Sequence, residues 1–545
     1  MARVVLVLAV LALLIAVVHG GGGAATARTG PARILVAMPW NNYSHMQVVY
    51  PVVRALCARG HEVVLLSRVP MPPPLPANFK FVQLDFNSPA QQYGFEIGRL
   101  QQISAPFRDA YNILALGLDH CQLLLGQEPV QRLLQGGPGG APAERFDLVI
   151  TELFFTDCYV ALAHRLGAPH LFVNSGPLPP WGYARFGVPS NPAHVAAFSL
   201  PVTDDMPFAA RLQNAALWAA NAALYHLWFA PREQAVVDAL VPAGTPPLAR
   251  LLPDAAMLLL NTHPALSPAR PLPPNVVEVG GLHIAPEQAL PQDLEQFVSG
   301  AKDGVILFSL GSMIRASSLP KENAAALLRG FGALKQRVVW KWEDEAPGPV
   351  PKNVRLSKWL PQFDVLCHNN TRLFIGHGGL LSTSEAAHCG VPLLGIAMYG
   401  DQRTNLAAVA KAGAGRSLPY STLKNADLFL KNVKDLLEDP SFQQSATALS
   451  ERFRDRPMSP LDTAVYWTEY VIRHKGAPHL RGAARNLTWY QEALLDVFAV
   501  VFLCLAAALY VAWTVVRTLL RLVMRVGCSL TGACDQKAAP KKKKQ

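Results

Sequence analysis

Short apolar runs alternate with longer segments of helical period along most of this chain. The runs end at glycine, proline or polar turns, and amphipathic segments follow most of them. This alternation predicts parallel β-sheets covered by helices on both faces. The predicted strands are 33–38, 62–66, 79–84, 148–151 and 170–173 in the first half of the chain, and 257–261, 276–279, 305–310, 338–341, 354–357, 373–376 and 392–396 in the second.

The alternating pattern extends over about 460 residues, which is more than one hydrophobic core comfortably holds. Two α/β domains are therefore predicted, at 26–280 and 281–455, followed by a helical return segment at 456–490. The proline-bearing stretch 267–291 is the expected hinge between them. A second proline cluster, at 70–76, is expected to form a loop.

The pattern is looser between residues 90 and 250, where helix-forming apolar segments carry aromatic residues. Ligand sites in parallel sheets lie beyond the carboxyl ends of the strands. The aromatic stripe 212–229, with Trp218, Tyr225 and Trp228, is therefore the candidate wall of an apolar pocket.

An apolar segment lies near each end of the chain. Residues 1–25 join a basic residue, an apolar run and a patch of small residues, which is the order of a secretory signal peptide. Residues 497–516 carry no charge and are long enough to cross a hydrocarbon core of about 30 Å as a helix. The basic tail 517–545 follows directly, so the positive-inside bias predicts a single-pass protein with a cytosolic carboxyl terminus and a lumenal main part. The terminal lysines 541–544 resemble a retrieval signal of the endoplasmic reticulum membrane.

The tail also explains most of the formal net charge of +11. The charge therefore indicates topology and a membrane surface, and we expect no nucleic acid partner. Eight cysteines are too few for a disulfide scaffold. Five of them precede the span, an odd number that leaves at least one thiol free, and we expect most of them to be unpaired core residues: Cys57, Cys121, Cys158, Cys367 and Cys389.

Polar turns at consecutive strand ends carry the candidate chemistry of the second half. From Trp359 to Gln402 the chain reads WLPQFDVLCHNNTRLFIGHGGLLSTSEAAHCGVPLLGIAMYGDQ. The glycine-bearing turn after His377 opens a helix, and such a turn presents backbone N–H groups and the positive end of the helix dipole to a phosphate. Ser312 follows an earlier strand in the same fashion. These strand ends are expected to converge on one crevice.

The 44 residues quoted above resemble the signature of the UDP-glycosyltransferases, inverting enzymes of the GT-B type with two Rossmann-like domains facing each other across a cleft. The stretch SHMQVVYPVVRALCARGHEV, at 44–63, resembles the start of the family's acceptor domain. Signal peptide, span and dibasic tail match its membrane-bound animal members. The resemblance implies that 26–280 binds the acceptor and 281–455 binds the UDP-sugar.

The resemblance also implies roles for the nucleoside. Trp359 would stack on the uracil ring, Gln362 would hold the ribose or the base edge, and Glu385 would accept hydrogen bonds from the ribose hydroxyls. Leu381 stands where vertebrate and plant members usually carry asparagine, in the form GGLLSTSE that is typical of invertebrate members. Since leucine cannot hydrogen-bond a phosphate, Leu381 is left out of the predicted site.

The remaining implied donor residues serve the diphosphate and the sugar. His377 and the amides of Gly379 and Ser312 would meet the diphosphate, with help from Ser382. The pair that ends the motif, Asp401 and Gln402, would grip hydroxyls of the transferred sugar.

His45 lies in the turn after the first strand and is the candidate general base. The family's reaction is a direct displacement at the anomeric carbon, so the acceptor hydroxyl must lose a proton, a task that suits histidine near neutral pH. An acidic partner on the other ring nitrogen would fix the tautomer. Position favours Glu152, at a strand end; residue type favours Asp157, which a helix dipole would also explain. We favour Glu152.

The sequence therefore predicts a membrane-anchored glycosyltransferase of the endoplasmic reticulum that transfers a hexose, glucose in the first place, from a UDP-sugar to a small lipophilic acceptor. UDP-glucuronate as donor, or a binding protein for lipophiles or nucleotide sugars without turnover, are the alternatives. We expect no cofactor besides the UDP-sugar co-substrate and no metal. Membrane-bound relatives suggest a homo-oligomer, and a role in detoxification is typical of them.

Three glycosylation sequons begin at Asn42, Asn369 and Asn486. Asn486 lies close to the span, and Asn369 lies on a turn that is expected to be exposed. A glycan on Asn42 would stand at the mouth of the cleft that His45 serves, so we expect Asn42 to be unoccupied.

Overall fold

The computed structural model describes residues 30–38, 42–85, 95–136, 144–153 and 156–531. The predicted signal peptide and the terminal lysines lie outside the described residues. The chain divides into two units, Met1–Gly482 and Ala483–Gln545. The first unit contains both sheets, and the second contains the apolar helix.

The first sheet has seven parallel strands in the order β3-β2-β1-β5-β6-β7-β8. Strand order reverses beside β1, so the carboxyl ends of β1 and β5 border the crevice where such sheets bind ligands. The strands are β1 Arg33–Met38, β2 Glu62–Ser67, β3 Phe79–Gln83, β5 Leu148–Glu152, β6 His170–Asn174, β7 Met257–Leu260 and β8 Val276–Glu278.

The second sheet has six parallel strands in the order β12-β11-β9-β13-β14-β15. The strands are β9 Val305–Ser309, β11 Arg337–Lys341, β12 Val354–Ser357, β13 Thr371–Gly376, β14 Leu393–Ile396 and β15 Gly415–Leu418. A two-stranded ladder pairs β4 Phe95–Glu96 with β10 Ile314–Arg315.

The described residues form nineteen α-helices, of which the last two belong to the second unit. They are α1 Tyr43–Ala58, α2 Ile97–Ile103, α3 Pro106–Leu125, α4 Glu128–Gln135, α5 Tyr159–Arg165, α6 Tyr183–Phe186, α7 Phe208–Leu224, α8 Ala230–Leu240, α9 Leu248–Leu251, α10 Gln292–Ser299, α11 Lys321–Gly332, α12 Gln362–Cys367, α13 Leu380–Cys389, α14 Gln402–Lys411, α15 Ala426–Glu438, α16 Pro440–Arg454, α17 Pro460–Arg473, α18 Trp489–Glu492 and α19 Leu495–Thr531. A π-helical turn, Tyr225–Phe229, joins α7 to α8.

Two segments cross from one half of the first unit to the other. The β4–α2 segment belongs to the first half by sequence, yet Ile97 and Leu100 are buried in the core of the second sheet, and the amide of Ile97 donates to Ser318 Oγ at 2.9 Å. In the opposite direction, α17 packs on α1, and Glu469 of α17 pairs with His61 at 3.2 Å. These crossings hold the two sheets as one compact body.

All twelve predicted strands are present, with ends that differ by at most two residues. The predicted hinge stretch contains β8, which is an edge strand of the first sheet, so the chain crosses to the second half only after Glu278. Strand β15 was not predicted, because Gly415–Leu418 is short and partly polar and lies at a sheet edge. The predicted loop at 70–76 contains no helix or strand.

The expectation that most cysteines are unpaired core residues is wrong. Cys121 of α3 and Cys158, just before α5, form a disulfide with Cα atoms 5.7 Å apart. Cys367 and Cys389, at the ends of α12 and α13, form a second one with Cα atoms 4.7 Å apart. Cys57 is free and buried. Helix packing brought each pair together, and sequence spacing does not reveal such contacts.

The longest helix of the second unit, Leu495–Thr531, includes the predicted span 497–516. By length and composition, a stretch of it at 495–530 can cross a membrane. It continues into the basic part of the tail, beyond the predicted end of the span.

Candidate functional site

A cavity of about 920 Å³ opens between the two halves of the first unit. Both sheets point the carboxyl ends of their strands at it. Nearly all of the predicted site residues line it: His45, Ser312, Trp359, Gln362, His377, Gly379, Ser382, Glu385, Asp401 and Gln402. Leu381, excluded from the prediction, lines it too. The structure thus brings the candidate base and the candidate donor residues to one space.

His45 is held in the first turn of α1, directly after β1. Asn42 caps this helix: its side-chain oxygen accepts hydrogen bonds from the Ser44 amide at 3.1 Å and the Ser44 hydroxyl at 2.8 Å. The cap fixes where the helix begins. The imidazole is consequently buried at the edge of the cavity, with 8% of its residue surface exposed.

Glu152 meets His45 from the neighbouring strand. Because β5 pairs with β1 in parallel register, its last residue lies beside the start of α1. Glu152 Oε1 is 2.6 Å from His45 Nδ1, and Ser175 Oγ is 2.9 Å from the same nitrogen. An ionised carboxylate can only accept, so Nδ1 carries the hydrogen and the lone pair of the neutral ring is on Nε2. This arrangement suits a base whose imidazolium form is stabilised by a buried carboxylate.

Asp157 is not brought to His45. Its carboxylate is buried and pairs instead with the Arg185 guanidinium and the Tyr225 hydroxyl. Burial raises the pKa of Asp157, opposed by Arg185, and burial together with Asp157 raises the pKa of Glu233 to about 8. Asp157 therefore belongs to a separate buried polar cluster, and the alternative in which it partners His45 is corrected.

His377 lies between two glycine turns. Gly311 has a φ of +79°, and a Cβ built on it would lie 2.6 Å from His377 Cε1; a Cβ on Gly379 would also overlap the ring. Burial, with the Lys341 charge nearby, lowers the pKa of His377 to about 4, so the ring is neutral at pH 7. Its buried Nδ1 has no hydrogen-bond partner among the described residues. A neutral imidazole N–H beside the glycine turns and the start of a helix suits a diphosphate oxygen.

The candidate nucleoside-binding residues are a hydrogen-bonded pair, Gln362 and Glu385, and the exposed indole of Trp359. Gln362 Nε2 donates to Glu385 Oε2 at 2.6 Å, and burial raises the pKa of Glu385 to about 7. Trp359 is 58% exposed, and the ring of Tyr43 meets its edge with centroids 5.4 Å apart. Lys341 Nζ lies 5.7 Å from the Trp359 centroid. An exposed indole face in a cavity is suited to stacking on a planar ring.

The sugar candidates sit on the turn into α14. Gln402 Oε1 accepts from the amides of Met398 at 2.8 Å and Tyr399 at 3.2 Å, which leaves the Gln402 amide nitrogen as its donor group. Asn405 donates to Asp401 Oδ2 at 2.8 Å and to the Gly378 carbonyl at 3.0 Å. Burial raises the pKa of Asp401. Asn405 thus connects the turn at Asp401 to the turn at Gly378 through hydrogen bonds.

Comparison with known proteins decides the family. A family model described as UDP-glucoronosyl and UDP-glucosyl transferase matches residues 32–529. The chain belongs to the UDP-glycosyltransferase family. UDP-glycosyltransferase UGT5 of Dactylopius coccus is 36% identical to this transferase over 525 residues, which cover 94% of the chain and 95% of the relative. A 2-hydroxyacylsphingosine 1-beta-galactosyltransferase of Mus musculus is 32% identical over 489 residues, covering 88% and 87%.

Solved structures show the same fold. The glycosyltransferase VinC, crystallised with dTDP, matches with a TM-score of 0.52 and 17% identity, covering 81% of this chain and 99% of its own. The calicheamicin glycosyltransferase CalG4 matches with a TM-score of 0.51 and 18% identity, covering 83% and 100%. The predicted GT-B architecture is confirmed: the transferase has two Rossmann-like halves across a cleft.

The predicted aromatic wall of the acceptor pocket is wrong. Trp218, Tyr225 and Trp228 of the transferase do not line the cavity. Trp218 donates to the Val195 carbonyl at 3.0 Å, and Trp228 lies outside, under the Arg232 guanidinium. One face of α3 and the segments after β6 form the apolar wall instead, with Ile113, Leu116, Pro179, Trp181 and Phe198. Part of the stripe packs, since Tyr225 is buried, and part of it, including Trp228, is exposed.

Four residues near the chemistry of this transferase were not predicted. Ser175 follows β6, one strand beyond Glu152, and its position at a strand end was the only available signal. Asn405 lies four residues after Asp401, hence one helical turn away. Lys341 ends β11 and donates to the Gly311 carbonyl at 2.8 Å. Asp109 of α3 gave no signal in the sequence, because its partners are in the other half of the chain.

Proposed function

We propose that this transferase moves glucose from UDP-glucose to a hydroxyl group of a small lipophilic acceptor, with inversion at the anomeric carbon and His45 as general base. The observation that carries the proposal is the 2.6 Å contact between His45 Nδ1 and Glu152 Oε1, at the edge of a cavity whose opposite side is lined by the donor candidates.

The proposed step is a single displacement. The acceptor oxygen attacks the anomeric carbon while its proton passes to His45 Nε2, and the bond between that carbon and the β-phosphate oxygen breaks. The electron pair of that bond leaves with UDP. Glu152 stabilises the imidazolium that forms, since the two opposite charges are buried together. The neutral His377 and the nearby backbone amides stabilise the charge that develops on the diphosphate.

The charges around the sugar position favour a neutral hexose over a uronic acid. Asp401 and Asp109 both line this end of the cavity, and the guanidinium of Arg403 is already paired with Asp109 at 2.7 Å. Since the Asp109 charge is balanced by Arg403, a carboxylate on the sugar would meet chiefly the buried acidic group of Asp401, which is costly at low local dielectric. Two cations also line the cavity: Lys341, which is bound to Glu343 at 3.0 Å on the Gly311 side, and the exposed Arg99 of α2.

The acceptor end of the cavity supports a lipophilic substrate. Its wall is built from Ile113, Leu116, Trp181 and Phe198. An apolar pocket with one base at its rim is the form expected for a ligand that presents a single reactive hydroxyl.

We further propose that the first unit lies in the lumen of the endoplasmic reticulum and that the helix Leu495–Thr531 is its single membrane anchor. The two disulfides fit an oxidising compartment. The basic residues that follow the apolar stretch fit a cytosolic end.

Microsomes from cells that express the full chain test the proposal. Wild-type protein should transfer sugar from UDP-glucose to some member of a steroid, phenol and flavonoid panel, at a higher rate than from UDP-glucuronate, and His45→Ala should abolish transfer. Wild-type rates in His45→Ala would refute the mechanism. Binding of UDP-glucose without any product would favour the non-catalytic alternative.

A further inference from the structure

An acidic residue of the first half forms hydrogen bonds with the segment 400–403 of the second half, which carries the candidate sugar-binding residues. Asp109 of α3 is 4% exposed, and its Oδ2 accepts from the Gly400 amide at 3.1 Å and from Arg403 at 2.7 Å. Arg403 also donates to Ser104 Oγ at 2.6 Å. Gly400 and Arg403 flank Asp401 and Gln402 in sequence. One carboxylate therefore binds the residues on both sides of Asp401 and Gln402, the candidate sugar-binding pair.

A second contact fixes the same helix end. Thr404 Oγ1 donates to carbonyl groups of the first half, at 2.8 Å to Phe198 and 2.9 Å to Leu200. The amino-terminal turn of α14 is thus attached to the first half through two neighbouring residues. Gly400 has a φ of +60°, a left-handed conformation that glycine adopts without steric cost.

We propose that Asp109 is a positioning residue for the donor sugar: by holding the Gly400 amide and the Arg403 guanidinium it aims Asp401 and Gln402 into the cavity. The acceptor half then completes the sugar site that the donor half carries. This inference rests on the proposed function, in which Asp401 and Gln402 grip the hexose.

The contacts of Asp109 are expected to affect binding of the sugar and not binding of the nucleotide. The uracil and diphosphate candidates, such as Trp359 and His377, lie on other turns. Among the described residues, the Asp109 carboxylate accepts hydrogen bonds from Gly400, Arg403 and Ser104 instead. Loss of Asp109 should therefore disturb the sugar and leave the nucleotide in place. A purely structural contact would instead weaken UDP and UDP-glucose together, because it would act on the whole cleft.

The experiment compares UDP-glucose with UDP on full-length protein in detergent or microsomes. Asp109→Ala and Arg403→Met should each lower kcat/KM for UDP-glucose about tenfold or more, as expected for a lost charge-assisted hydrogen bond. The inhibition constant of UDP should stay within about twofold, the usual scatter of uncoupled substitutions. Asp109→Asn keeps an oxygen for the Gly400 amide, so its loss should be smaller than that of Asp109→Ala.

Lys411→Met is the matched control. Lys411 lies on the same helix and pairs across the halves with Asp204, but at the exposed end, so neither constant should change. Equal weakening of UDP and UDP-glucose in Arg403→Met, or an unchanged kcat/KM in both Asp109→Ala and Arg403→Met, would overturn the positioning role. The same assay measures turnover by the wild-type protein. Absence of UDP-glucose turnover there would overturn the proposed function and not only the positioning role.

Discussion

Replacing Glu152 by glutamine tests the assignment of the histidine partner. Glutamine keeps the shape and can still accept a hydrogen bond from Nδ1, but it removes the charge. The oxygen and the nitrogen are 2.6 Å apart, so the charge centres of the imidazolium and the carboxylate are roughly 4 Å apart, which corresponds to about 4 kcal/mol at an effective dielectric of about 20. Such a loss in the transition state lowers kcat by roughly three powers of ten.

The assay is glucosyl transfer under saturating UDP-glucose and acceptor, normalised to the amount of folded protein. Ser175→Ala removes a neutral partner of the same nitrogen, at 2.9 Å, and should cost only about 1 kcal/mol, less than a tenfold loss of rate. Asp157→Asn should lower the melting temperature while the folded fraction keeps its kcat, since Asp157 pairs with the buried Arg185. A Glu152→Gln enzyme with nearly wild-type kcat would refute the reasoning.

Three further results are expected. Affinity for UDP-glucose should fall as the pH drops from about 8 to 6, by up to about tenfold per unit below the pKa. Burial raises the pKa of Glu385 to about 7, and its carboxylate form accepts stronger hydrogen bonds from the ribose hydroxyls than its neutral form; binding titrations at each pH measure this. Gly311→Ala should weaken UDP-glucose binding, because its Cβ would lie 2.6 Å from the His377 ring on a backbone with a φ of +79°; titration calorimetry measures it. Glycopeptide mass spectrometry of secretory-pathway protein should find sugar on the exposed Asn369 and none on Asn42, whose side chain caps a helix.

Each of these has its control. Glu385→Gln cannot titrate, so its affinity should be lower at high pH and independent of pH; a profile like that of the wild type would contradict the role of Glu385. Gly348→Ala places its Cβ only against Ala325 at 3.9 Å and should bind normally. A glycan on Asn42 in active protein would contradict the account of the cleft mouth.

Residues at strand ends were predictable, because parallel strands bring their carboxyl ends to one edge of a sheet. That rule alone predicts that His377 and the turn at Asp401 lie at one crevice, and both line the cavity. It also favoured Glu152 over Asp157. The register between β1 and β5 supports that preference, since it lays the last residue of β5 beside His45. The roles of these residues in binding and catalysis stay predictions.

Contacts between distant segments were not predictable from one sequence. Asp109 and Gly400 are 291 positions apart, and neither residue type nor spacing indicates their pairing. The prediction of the apolar wall was wrong for a related reason. The amphipathic pattern of α7 predicts that one face of the helix is covered, but it does not show which segment covers it. In the structure, Trp218 donates a hydrogen bond to the Val195 carbonyl. Cysteine pairing depends on helix packing in the same way.

The crossing of β4 and α2 into the second half bears on how such a chain can be divided. Ile97 and Leu100 fill the core beneath β9 and β11, although about two hundred residues separate them from that sheet in sequence. A donor domain excised at residue 281 would lack these two side chains and expose the apolar floor they cover. Chimeras that exchange acceptor halves between relatives should therefore carry the segment 95–103 with the donor half, so that acceptor preference can be exchanged without damaging the donor core.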